Sequence, residues 1–228
     1  MNQDAKQRAV VLLSGGLDST TCLAYALDKD YECFALSVNY GQKHNAEIKA
    51  AARIANHYRC EHRVIDVDVA QFGGSALTDK AVAVPTPQEL STDIPITYVP
   101  ARNTMMLSIA MAWAETLQAE VIFIGVNAVD YSGYPDCRPE YIDAFNAMAK
   151  LATKQGVEGN AVQVIAPLQY LTKQEIINLG SGMGVDYSQT VTCYQADDSG
   201  AACGECEACQ LRKTGFHRAG LDDPTIYR

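Results

Sequence analysis

Short apolar runs alternate with helix-patterned stretches along this chain, and that alternation restricts its fold more than any other feature. Residues 8–13 are apolar after a leading arginine and stop at a Gly-Gly pair, which predicts a buried parallel strand. Further strands are expected over 32–38, 63–67, 120–126 and 163–166. Helices are expected over 18–28, 43–58, 103–117 and 140–154. In the second of these, Ile48, Ala51, Ala52 and Ala55 fall on one face; in the third, Met106, Ile109, Ala110, Trp113 and Leu117 form a stripe. Thr172 and Glu175 have the spacing of a capping box, so another helix opens there. Strands and helices in alternation build an α/β fold, a Rossmann-like and mainly parallel sheet with helices on both faces. Residues 70–100 interrupt the pattern with four prolines and a Gly73-Gly74 pair, and part of that stretch is expected to cover a ligand.

A chain of 228 residues has room for one domain and a small appendage. The expected division is a nucleotide-binding catalytic domain over 1–187 and a C-terminal metal-binding segment over 188–228. The formal net charge of −9 argues against an extended nucleic-acid surface, which would need clustered Lys and Arg, but permits a nucleotide-sized ligand. No apolar run approaches the roughly 20 residues that span a bilayer, and the polar start does not resemble a signal peptide. The expected location is the cytoplasm, with no membrane partner.

The junction between the first strand and first helix reads Leu13, Ser14, Gly15, Gly16, Leu17, Asp18, Ser19, Thr20. Two glycines let a backbone approach an anion closely, and the free N–H groups of a helix start favour negative charge there. Ser14, Ser19 and Thr20 add hydroxyl donors. Asp18 needs a cation beside phosphates, and Mg²⁺ bridging the two would supply it. The string is neither a Walker A loop nor G-x-G-x-x-G. It resembles the signature of the PP-loop ATP pyrophosphatases. That resemblance implies that the loop holds the β,γ-phosphates of ATP while a substrate oxygen attacks the α-phosphate and pyrophosphate leaves.

Eight cysteines are present, and four crowd one end: Cys193, Cys203, Cys206 and Cys209. Four thiolates at such spacing suit a closed tetrahedral Zn²⁺ site, a structural rather than catalytic arrangement. The C-x2-C-x2-C run also suits an iron–sulfur cluster. Cys22, Cys33 and Cys60 read as small buried hydrophobes, whereas Cys137 lies in a suspected ligand loop. Arg212 and Lys213 read as a surface charge pair.

Further strings agree with a narrower family: residues 39–44 with Glu47, residues 98–104, residues 125–141 and the cysteine tail. Together with the loop, they make the chain resemble the 7-cyano-7-deazaguanine synthases of queuosine-precursor synthesis. The resemblance implies a ligase that forms carbon–nitrogen bonds. 7-Carboxy-7-deazaguanine is adenylated, ammonia gives the amide, and a second ATP activates the amide oxygen so that elimination yields the nitrile. It also implies a homodimer.

Residue roles follow from position. Arg102, just before a helix, can neutralise a phosphate or the substrate carboxylate, and Asn103 would cap that helix. Asp130, Tyr131, Tyr134, Asp136 and Arg138 occupy the loop after the fourth strand, at the carboxyl end where substrates bind. Asp136 would accept N–H donors from a guanine-like edge, and Tyr131 or Tyr134 would stack on the base. Lys173 reaches either the ATP phosphates or solvent. Asp18, Ser19, Arg102 and Lys173 make up the expected catalytic set. Two rival readings stay open: an RNA-modifying PP-loop relative and a non-catalytic nucleotide-binding module.

Overall fold

Side chains of a central strand point alternately to the two faces of its sheet, and here both faces are apolar because helices cover both. The strand is β1 (Arg8–Leu12), flanked by β2 (Glu32–Asn39) and, on the other side, β4 (Val121–Phe123). With β3 (Glu61–Asp66) and β5 (Gln163–Ile165) at the edges, the order is β3-β2-β1-β4-β5 and every pair is parallel. The computed structural model describes residues 6–43, 45–79, 81–84, 94–128 and 133–228. Asp130 and Tyr131, and part of the 70–100 stretch, lie outside the described residues.

Ala9, Val11 and Leu13 enter one core, with side chains of α1 (Leu17–Asp28), α2 (Ala46–His57), α6 (Lys173–Gly182) and α7 (Glu207–Ala219). Val10 and Leu12 enter the other, with α3 (Arg102–Leu117) and α4 (Pro139–Ala152). The short helix α5 (Lys154–Val157) links α4 towards β5. Chain order runs outward from β1 to β3 and then returns to β4, so the switch in direction falls between β1 and β4. That is where an open α/β sheet leaves a crevice.

Several expectations shift in detail. The buried face of α2 is Ala46, Ala50, Ala51, Ile54 and Ala55, while Ala52 is exposed and Ile48 half-buried. An alanine-rich helix can dock on either of two adjacent faces, and contact with the Gly15 turn selects this one. The fourth strand stops at Phe123 rather than at 126. Beyond it, a Cβ on Gly125 would lie 3.1 Å from the Asp18 backbone, so the chain leaves the sheet to pass the start of α1. Asn103 lies inside α3 and does not cap it; the Asn103 N–H instead donates to Asp136 Oδ2 at 3.0 Å. The capping box of α6 is present, with Thr172 N donating to Glu175 Oε2 at 2.8 Å. Helix α7 was not expected in a tail rich in small polar residues. Its buried Ala208, Cys209 and Phe216 complete the first core.

Candidate active site

The loop over residues 13–20 is shaped by its own hydroxyls. Ser14 N donates to Ser19 Oγ at 3.2 Å, the two serine hydroxyls lie 3.0 Å apart, and Thr20 Oγ1 donates to Gly16 O at 2.8 Å. Gly15 has φ +87, and a Cβ there would lie 2.2 Å from Glu47 O, so only glycine lets the turn back onto α2. Val191 N donates to Gly15 O at 2.9 Å, and Leu17 N to Thr192 Oγ1 at 3.4 Å. The tail thus fastens the loop from outside.

In front of the loop, at the switch between β1 and β4, is a cavity of about 290 Å³. Leu13, Ser14, Gly16, Leu17, Asp18 and Ser19 line it, whereas Gly15 and Thr20 serve the loop from behind. Lys173 Nζ meets both Asp18 carboxylate oxygens, at 2.7 and 2.8 Å. The protein therefore supplies a cation for Asp18 itself. A carboxylate has about four lone-pair sites, so this pair leaves room for a metal as well.

Arg102 faces the loop from α3. Its guanidinium lies 5.7 Å from the centre of the Tyr40 ring and 5.9 Å from that of Tyr134. Burial works against its charge, but the neighbouring Tyr40 and Tyr134 more than offset that, so Arg102 is held firmly protonated. Tyr134 is buried on the cavity wall, and its hydroxyl meets Thr97 Oγ1 at 2.8 Å. Asp136 and Arg138 do not reach the wall: Asp136 is buried against α3, and Arg138 is an exposed residue at the start of α4.

Three participants were not anticipated. Glu47 opens α2 and lines the cavity, its pKa pushed up to about 7 by burial and opposed only in part by Arg102. Tyr40 borders the same space, its pKa raised by burial. Arg212, read as a surface residue, is only 2% exposed. It donates to Thr190 Oγ1 at 2.7 Å, Thr192 Oγ1 at 3.2 Å, Tyr187 O at 3.0 Å and Asp223 Oδ1 at 2.9 Å. A guanidinium's five donors fit this set, and the buried charge is compensated by Asp223. The string around Glu47 was a usable signal; for Arg212 there was none, because its partners are distant in sequence.

Cys193, Cys203, Cys206 and Cys209 converge, with all four sulfurs within 4.8 Å of one another. Individual Sγ–Sγ separations are 3.5, 3.5, 3.9 and 4.0 Å. A tetrahedron with metal–sulfur bonds of about 2.3 Å has edges of about 3.8 Å, so the four sulfurs suit one metal ion. Backbone N–H groups of Gln195 and Cys203 donate to Cys193 Sγ, both at 3.2 Å, which favours a thiolate. Cys22, Cys33 and Cys137 are buried and Cys60 partly so. The Cys137 thiol is pushed up to about 12, chiefly by burial, which leaves it unreactive.

Among the described residues, no helix is long and apolar enough to cross a membrane. The fold is shared with an NMN synthetase from Francisella tularensis, at TM-score 0.51 and 16% identity over 97% of this chain and 80% of that one. It is also shared with a 4-thiouridine synthetase solved in complex with RNA and ATP, at TM-score 0.54 and 18% identity over 94% of this chain and 50% of that one. Nearer relatives are named 7-cyano-7-deazaguanine synthase. One from Dechloromonas aromatica (strain RCB) is 61% identical over 97% of this chain and 99% of its own length. Another, from Pseudomonas aeruginosa (strain LESB58), is 58% identical over the full length of both. The family model described as queuosine biosynthesis protein QueC matches residues 8–220, and the chain belongs to that family of queuosine-biosynthesis enzymes.

Proposed function

We propose that this chain is an ATP-dependent ligase that converts 7-carboxy-7-deazaguanine and ammonia into 7-cyano-7-deazaguanine. The observation that carries the chemistry is one cavity in which the phosphate loop, the Asp18–Lys173 pair and Arg102 all meet. Residues 13–20 would hold ATP, with Ser14 and Ser19 donating to phosphate oxygens, and Asp18 would help hold the Mg²⁺ that neutralises the nucleotide's phosphates. Lys173 and Arg102 neutralise the charge that builds up as pyrophosphate and then AMP depart. Arg102 also suits the substrate carboxylate, and the Tyr134 ring suits the flat face of the base. Asp130 and Tyr131 keep their proposed substrate contacts. Asp136 acts from off the wall, by holding the start of α3.

Both a carboxylate oxygen and an amide oxygen are poor leaving groups until each becomes an AMP ester. The same loop therefore binds ATP twice per product, first to activate an acid and then an amide. The four cysteines hold one Zn²⁺ that braces the tail and supplies no chemistry to the reaction. The enzyme works in the cytoplasm as a homodimer, taking small molecules rather than nucleic acid.

The decisive assay measures AMP release with 7-carboxy-7-deazaguanine, ammonia and ATP. Two AMP per nitrile are expected, and no AMP without added RNA would overturn the reading. Asp18→Asn should stay folded, as judged by circular dichroism, and lose at least ~100-fold in kcat/KM. Wild-type turnover in that variant would remove Asp18 from the mechanism.

A further inference from the structure

Among the described residues, two carboxylates reach the cavity wall, those of Asp18 and Glu47. Asp18 is committed to Lys173. Glu47 is not committed: among the described residues its carboxylate forms no ion pair and no hydrogen bond, although Arg102 is near enough to act on it electrostatically. Tyr40, which interacts with both Glu47 and Arg102, packs in an apolar cluster with Val38 and Leu77 that borders the same cavity. A half-buried acceptor with lone pairs to spare, next to a cation it does not pair with, is costly unless a ligand completes it.

The substrate proposed above has a rim of matching polarity. Reading round it, the carboxylate and ring carbonyl are acceptors, and the ring N–H and exocyclic amino group are donors. An arginine suits the first pair and a carboxylate the second, because a carboxylate accepts two parallel N–H bonds. We propose that Glu47 reads the guanine-type edge of the substrate, accepting the ring N–H and the exocyclic amino group, while Arg102 faces the acceptor half of the rim. Asp136, which sequence position alone suggested for this task, spends its carboxylate on α3 and is off the wall. The assignment rests on the substrate reading given above.

The raised pKa of Glu47 agrees with an acceptor that lacks donors. The titratable and charged groups acting on it are Arg102 from α3 and Tyr40 from the end of β2, with Lys43, Asp18, Lys173, Tyr134 and Arg212 elsewhere on the wall. Two N–H donors would favour the ionised form, so binding near pH 7 should release a proton.

The test is calorimetric binding of 7-deazaguanine and 7-deazahypoxanthine, which lacks the exocyclic amino group, to the intact protein and to Glu47→Gln. The intact protein is expected to bind 7-deazaguanine roughly 100-fold more tightly than the analogue and to release protons to the buffer. In Glu47→Gln the preference should fall to within a few fold, while a non-hydrolysable ATP analogue binds as before and so reports an intact fold. Equal affinity of the intact protein for both ligands would overturn the proposal without any variant. So would a Glu47→Gln protein that keeps its preference. These outcomes are separate from failure of the functional reading, which would be absent AMP release in a protein that still discriminates the two bases.

Discussion

Arg212 shows how one side chain ties distant parts of the chain into a working site. Its guanidinium holds Thr192, and Thr192 in turn accepts the Leu17 N–H at the start of α1. Replacement by alanine would strand Asp223 and empty four hydrogen bonds. We expect Arg212→Ala to lose about 3–5 kcal/mol in denaturant unfolding. Arg212→Lys should recover only part of this, because an ammonium lacks the planar fork. Glu47 makes the opposite contribution. Its folded pKa, about 7, lies above the ordinary carboxylate value, so the folded state binds protons more tightly than the unfolded chain. The stability cost is absent at low pH and grows as pH rises through that interval. Glu47→Gln should therefore be more stable than the parent at pH 8, by roughly 1–3 kcal/mol, and no more stable at pH 4. Thermal melts at the two pH values measure this, and an equal gain at both would refute the burial argument.

At the scale of elements, the helix starts do the positioning. Helix α6 opens with a capping box and immediately presents Lys173 to Asp18. Thr172→Ala should cost about 1 kcal/mol of stability. Because the lost bonds are those that fix the first turn, it should also raise the KM for ATP several-fold. An unchanged KM would mean that Lys173 is oriented by Asp18 alone. Much of this level was legible in the sequence. The 13–20 turn, the capping box and the convergence of the four cysteines are local strings whose geometry follows from spacing. What sequence could not supply was tertiary placement. Asp136, not Asn103, satisfies the start of α3 because the 135–137 turn packs on that helix. The face of α2 was misjudged because alanine carries too little polarity to mark one. Helix α7 went unseen because glycine, cysteine and lysine dilute its apolar pattern, and its stability comes from the core it joins.

For the molecule as a whole, the cysteine tail is part of the cavity wall. Thr192, Tyr194, Leu211 and Arg212 all border the cavity, and the core beneath them is continuous with β1 and α1. We expect one Zn²⁺ per chain by elemental analysis. Chelation under mild denaturant should raise hydrogen exchange in residues 187–192 and, through Leu17, in the first turn of α1, before the sheet itself is affected. Exchange confined to the cysteine segment would show that the tail does not support the loop.

The hydrogen bond from Leu17 to Thr192 joins residues 175 positions apart. During synthesis, at about 5–20 residues per second, the loop is made roughly 10–35 s before the residues that fasten it. The strand and helix that carry the loop can pair early, yet the bonds from residues 191 and 192 that fasten it form only once the tail has emerged. For most of its time on the ribosome a nascent chain thus carries the loop without the contacts that hold it from outside.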